Sequence, residues 1–144
     1  MRTSILRSPH SPHSPVAVNF IVAILVAVAW YGYQIVLGAQ ETDPSVARAN
    51  RGAVGAVVLA LIEIALFVLY LRRGASDDLG GLVRVIAAIV GIIGLLQSIV
   101  VPLLVREMYG GEFPTVGHVM LWYAYGSHLL YALLGEPPRV ERVK

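Results

Sequence analysis

Glu63 stands inside an apolar stretch, with Ile62 and Ile64 on either side. An isolated carboxylate in such surroundings is costly, so it needs a partner, a proton or a task. One set of tasks is a proton or cation relay, or a hydrogen bond to a quinone or another substrate. The other is structural: a neutral carboxyl group joining two helices or two subunits. His128 lies in a second apolar stretch and is the best partner for Glu63 within the chain. Tyr125 precedes it by three residues, which puts the two on nearly one face of a helix. Glu63, His128 and Tyr125 together make a candidate proton-handling cluster. The competing reading gives His128 a backbone carbonyl or Ser127 as its partner.

A second polar layer is expected from Gln34, Gln97 and His118. Such groups line a vestibule or hold a quinone headgroup, or simply bond from helix to helix. Haem is disfavoured. His118 and His128 are ten residues apart on one run, about 15 Å of rise and about 80° of rotation, and cannot sandwich one ring. The chain has no cysteine, which excludes disulfide exchange, iron–sulfur clusters and thiolate zinc sites. Phosphate loops, nucleophile elbows, HExxH helices and dinucleotide fingerprints are absent. Nothing requires a metal or a cofactor, and no residue is assigned a catalytic role.

Four apolar runs must position these side chains, near 16–38, 52–71, 82–105 and 115–135. Each has the roughly 20 residues that a bilayer-spanning helix needs. The chain is 57% hydrophobic and 14% charged, against roughly 25% charged in a soluble domain. Lipid is therefore the expected solvent. The net charge of +2 is scattered, so no nucleic-acid partner is expected. Connections of about 9 to 13 residues make neighbouring helices antiparallel. The first run exceeds the usual signal-peptide core and is expected to be retained. Residues 1–15, with a recurring Ser-Pro-His triplet that sets His10 and His13 on one polyproline face, read as a disordered tail, as do residues 136–144.

Lys and Arg set the orientation. Arg2 and Arg7, then Arg72, Arg73 and Arg84, then Arg139, Arg142 and Lys144 make eight on one side. Arg48, Arg51 and Arg106 make three on the other. Both termini are expected in the cytoplasm, with a plasma membrane as the setting.

Helices in lipid associate by close backbone approach. Ala87, Gly91, Gly94 and Ser98 form one small-residue stripe, and Ala53, Ala56 and Ala60 lead to Glu63 on another. Both stripes are expected to face protein, and each other is one option. Pro102 frees the carbonyl of Ser98, which then needs a donor from a neighbouring helix or from Gln97. The fold class is an all-α, four-helix membrane bundle running up-down-up-down. Two functional classes follow. One is a non-catalytic subunit or scaffold of a larger membrane assembly, or of a homo-oligomer. The other is a small proton-coupled transport or redox-coupling unit built on Glu63 and His128.

Overall fold

A computed structural model describes residues 15–40, 51–104 and 115–135. These residues are helical: α1 Pro15–Gln40, α2 Arg51–Arg72, α3 Asp77–Leu104 and α4 Val116–Leu134. The two expected tails, residues 1–14 with the Ser-Pro-His triplets and residues 136–144, lie outside the described residues. Pro15 is described, and it opens α1, where a missing N–H costs nothing.

The α2–α3 connection is much shorter than expected. A 3₁₀ turn, Arg73–Ala75, and Ser76 are all that separate the two helices. The reason is local. Ser76 Oγ accepts the N–H of Leu79 at 3.3 Å, and Asp77 and Asp78 occupy the first turn, where negative charge suits the helix dipole. Those contributions outweigh the cost of Gly80 and Gly81, and α3 starts five residues before the apolar run does.

Three helices, α1, α2 and α3, are long and apolar enough to cross a bilayer. The expectation that all four runs qualify does not hold for α4, which has 19 residues. Its apolar character is diluted by His118, Trp122, Tyr123, Tyr125, Ser127, His128 and Tyr131. Most of these are turned inward: Tyr125, Ser127, His128 and Tyr131 are buried, whereas Val116, Val119, Leu130 and Leu133 are exposed. Elsewhere the outer surface is equally apolar, with Leu25, Val58, Ile89 and Ile93 exposed.

α4 is the hub. It packs extensively on α3 and α1, α1 also packs on α2, and α2 meets α3 only lightly. The core divides into two clusters. An aromatic one joins Phe20 and Ile24 of α1, Leu66 and Tyr70 of α2, Ala87 of α3 and Tyr131 of α4. An alanine-rich one joins Ala23, Ala27 and Tyr31 of α1, Ala56 and Ala60 of α2, and Ala124 and Tyr125 of α4.

The expected stripe on α3 is buried throughout, from Val83 through Ala87, Gly91, Gly94 and Ser98 to Pro102. It faces α4, not the alanines of α2. A Cβ on Gly91 would fall 2.8 Å from Leu129 Cγ, and one on Gly94 would fall 2.3 Å from the Tyr125 ring. The glycines are hollows for large side chains of α4. The α2 alanines instead gather with those of α1, where small residues on both sides allow close approach. Gly117 does the same for α1, since a Cβ there would lie 2.1 Å from Trp30. The Ser98 carbonyl freed by Pro102 accepts Trp122 Nε1–H at 3.3 Å, so a neighbouring helix supplies the donor.

Gly94→Leu should therefore lower stability by about 1–3 kcal/mol through overpacking against Tyr125. Gly126, which has open space around its would-be Cβ, should tolerate Ala with no loss. Thermal melts in mild detergent compare the two. Equal stability of the two variants would place Gly94 against lipid.

Candidate functional site

Glu63 of α2 and His128 of α4 meet at the junction of the two core clusters. His128 Nε2 lies 2.9 Å from Glu63 Oε2. Both residues are almost completely buried, at 1% and 0% exposure. The other ring nitrogen, Nδ1, lies 2.5 Å from the carbonyl oxygen of Ala124, one turn earlier on α4. A carbonyl can only accept, so Nδ1 carries a proton and donates it. That fixes what Nε2 can do. Either it accepts from a protonated Glu63, or an imidazolium donates to a carboxylate. In both forms one proton sits between the two side chains, and the pair has no net charge. This neutrality is what makes the pair tolerable in an apolar interior.

The surroundings seal it. The Phe20 ring stands edge-on to the His128 ring at 5.2 Å and stacks on Tyr131 at 4.1 Å. Tyr70 closes on Phe20 at 5.4 Å. Glu63 Oε1 is buried and has no hydrogen-bond partner among the described residues. The carboxyl group is thus half satisfied.

Tyr125 does not complete the expected triad. Its ring lies 6.0 Å from that of His128, but its hydroxyl hydrogen-bonds Tyr31 of α1, and both His128 nitrogens are already engaged. Tyr31 was not singled out from the sequence as a site residue. The α1 spacing of Phe20, Ala23, Ala27 and Tyr31 carried the signal, because it places all four on one face.

The second polar layer forms in part. Gln97 and His118 line a cavity of about 180 Å³ together with Tyr31, Ser98 and Tyr125. Gln34 is half-buried on α1 and is not among the lining residues. His118 has a local duty as well. Its Nδ1 accepts the N–H of Thr115 at 3.2 Å and lies 2.7 Å from Thr115 Oγ1, which caps the start of α4. At the other end of α4, Arg84 of α3 donates through Nε and Nη2 to the Ala132 carbonyl at 3.1 and 2.9 Å. The last turn of a helix has unpaired carbonyls, and a cation there is favourable. A further helix-to-helix bond, Tyr123 hydroxyl to Asn19 Oδ1 at 2.7 Å, joins α4 to α1.

Glu63→Leu should cost about 1–3 kcal/mol, because it leaves His128 Nε2 buried without a partner. Glu63→Gln should stay near the parent, since its amide N–H can donate to Nε2 of the Nδ1-protonated ring. Unfolding in detergent reads both, and a Gln variant as unstable as the Leu variant would mean that the contact is ionic in a way an amide cannot replace. Comparison with known proteins finds no matching family model, no matching curated relative and no matching solved structure, so the function must be argued from this geometry.

Proposed function

We propose that this is a small multi-pass membrane protein whose four helices form a non-catalytic structural unit, within a larger membrane assembly or a homo-oligomer. The observation that carries this reading is the sealing of Glu63 and His128. Both nitrogens of the imidazole are consumed by Glu63 and by the backbone, neither residue lines the cavity above them, and Phe20 closes the side below. A relay needs a donor and an acceptor on either side of the titrating group. A clasp between helices needs only what is present.

The up-down-up-down arrangement is part of the proposal. It is supported by the composition of the aromatic cluster, which draws on the first half of α1, the second half of α2, the first half of α3 and the second half of α4. The inward turn of the polar side chains of α4 supports its counting as a fourth span. The eight-to-three division of Lys and Arg supports both termini in the cytoplasm.

The proton-coupled alternative has one observation in its favour. Among the described residues Glu63 Oε1 is an acceptor with no donor, next to a proton that either side chain can hold. Such a group gains from an added proton donor, transiently a water.

One measurement tests the topology and a second separates the two functional readings. Cysteines introduced singly as Ser4→Cys, Ser45→Cys, Ser76→Cys, Glu112→Cys and Val143→Cys are expected to react with an impermeant thiol reagent in intact cells only at 45 and 112. Strong labelling at 143 would overturn the topology. Glu63→Gln, reconstituted in vesicles with an internal pH dye, is expected to show the same proton flux as the parent. Loss of flux in a stably folded Gln variant would replace the structural reading with the proton-handling one.

A further inference from the structure

A furrow of about 470 Å³ runs along the α3–α4 interface at the end where α4 stops. Gly81 and Arg84 line its head, and Val85, Ala88, Ile92, Leu129 and Leu133 line the rest. We propose that it seats one anionic phospholipid, with the phosphate against Arg84 and an acyl chain along the apolar part. The proposal rests on the reading of α3 and α4 as membrane-spanning.

Charge is the first argument. A guanidinium has five N–H donors. Arg84 spends one from Nε and one from Nη2 on the Ala132 carbonyl. Three N–H groups remain, and among the described residues no acceptor meets them. The carbonyl end of α4 offsets about half a unit of charge. Asp77 and Asp78 stand in the first turn of the same helix, and neither forms an ion pair with Arg84. Among the described residues a net positive charge is thus left on a half-buried side chain. Beside hydrocarbon such a charge is costly without an anion. The two bonds to Ala132 also hold the guanidinium in place, so a phosphate meets a fork that is already set.

Placement is the second argument. A Cβ on Gly135, the residue that closes α4, would lie 3.4 Å from Arg84 Cδ and Nε. The cation is therefore level with the helix end, where headgroups lie. The eight-to-three division of Lys and Arg assigns that end to the cytoplasmic leaflet, where anionic lipids collect and basic pockets between helices hold their headgroups. A Cβ on Gly81 would meet nothing within 4 Å, so there is open space at the head of the furrow.

Shape is the third. From Arg84 the furrow follows α3 inward to Ile92, about two turns. Ala88 and Ala132 are small and give it depth. Val85, Ile92 and Leu133 are exposed, so it opens sideways to the bilayer. A carboxylate from a protein partner would answer Arg84 alone. A phospholipid answers the cation and the apolar walls with one molecule, and it is the surrounding solvent.

Native mass spectrometry of the full chain tests this. The chain is released from micelles holding equal amounts of phosphatidylglycerol and phosphatidylcholine with the same acyl chains. One phosphatidylglycerol per chain is expected to be retained, in preference to phosphatidylcholine. Arg84→Gln should lower the preference by about tenfold, the loss of one charge-assisted hydrogen bond. Ala88→Phe, which fills the furrow and leaves Arg84 in place, should abolish retention. Arg72→Gln, at the end of α2 and outside the furrow, should change nothing. Thermal melts of each variant exclude misfolding as the cause. Equal retention of the two lipids, or an equal loss of preference in Arg72→Gln, would overturn the role of Arg84. Displacement by excess inorganic phosphate would overturn the lipid in favour of a free anion. A folded parent that retains neither lipid, as it would if the C-terminal tail or a second copy filled the furrow, would overturn the site. Cysteine labelling reads the membrane placement separately, so a failure of the furrow and a failure of the topology are told apart.

Discussion

The hydrogen bond between Glu63 and His128 is the constraint around which the bundle is arranged. Neither side chain is tolerable alone in a hydrocarbon interior, and each makes the other tolerable by sharing one proton. The bond ties α2 to α4, two helices that are not neighbours in sequence. It also requires that α1 lie close to both. Ala23, Ala27, Ala56, Ala60 and Ala124 meet that requirement on one side of the pair, and Phe20 fills the other. Polar geometry and backbone spacing are therefore one problem. A larger side chain at any of those alanines would push the helices apart and break the bond.

The same logic explains why α4, alone of the four described helices, is not apolar enough to qualify as a span and is yet the centre of the fold. Association in lipid gains little from covering leucine with leucine. Specific contacts are needed, and α4 supplies most of them. Tyr125 and Leu129 enter the hollows at Gly94 and Gly91, Gly117 admits Trp30, and Trp122 repairs the carbonyl that Pro102 leaves free. Its two ends are held as well, by His118 with Thr115 and by Arg84. A more hydrophobic α4 would cross a membrane more readily but would have nothing to recognise its neighbours with.

Much of this was legible in the residues. Glu63 advertised itself by cost, and the search for a partner at similar depth led to His128. The α3 stripe followed from the four–three–four spacing of small residues. The need for a donor at Ser98 followed from proline geometry. What was not legible depends on which helix faces which. Two small-residue stripes invite each other on sequence alone. Only the bulk of Tyr125 and Leu129 decides that the α3 stripe seats α4. Tyr125 was drawn toward His128 by proximity on one helix, but its hydroxyl extends away from the ring of its neighbour to a partner on α1, a direction that spacing does not encode. Gln34 joins Gln97 and His118 in one expected layer, but membership of a layer says nothing about rotation around the helix axis. The early start of α3 is signalled by Ser76 and the two aspartates that follow it, which override the weakening effect of a pair of glycines.

A double-mutant cycle on Glu63→Leu and His128→Leu, read as unfolding free energy in bicelles, tests most directly whether these two side chains hold the bundle together through each other. The expected result is that the double variant is less destabilised than the sum of the singles, with a coupling of roughly 1–2 kcal/mol, because removing both partners leaves neither one buried and unpaired. Additivity within about 0.5 kcal/mol would contradict it, and would mean that Glu63 and His128 are each satisfied by something other than the other.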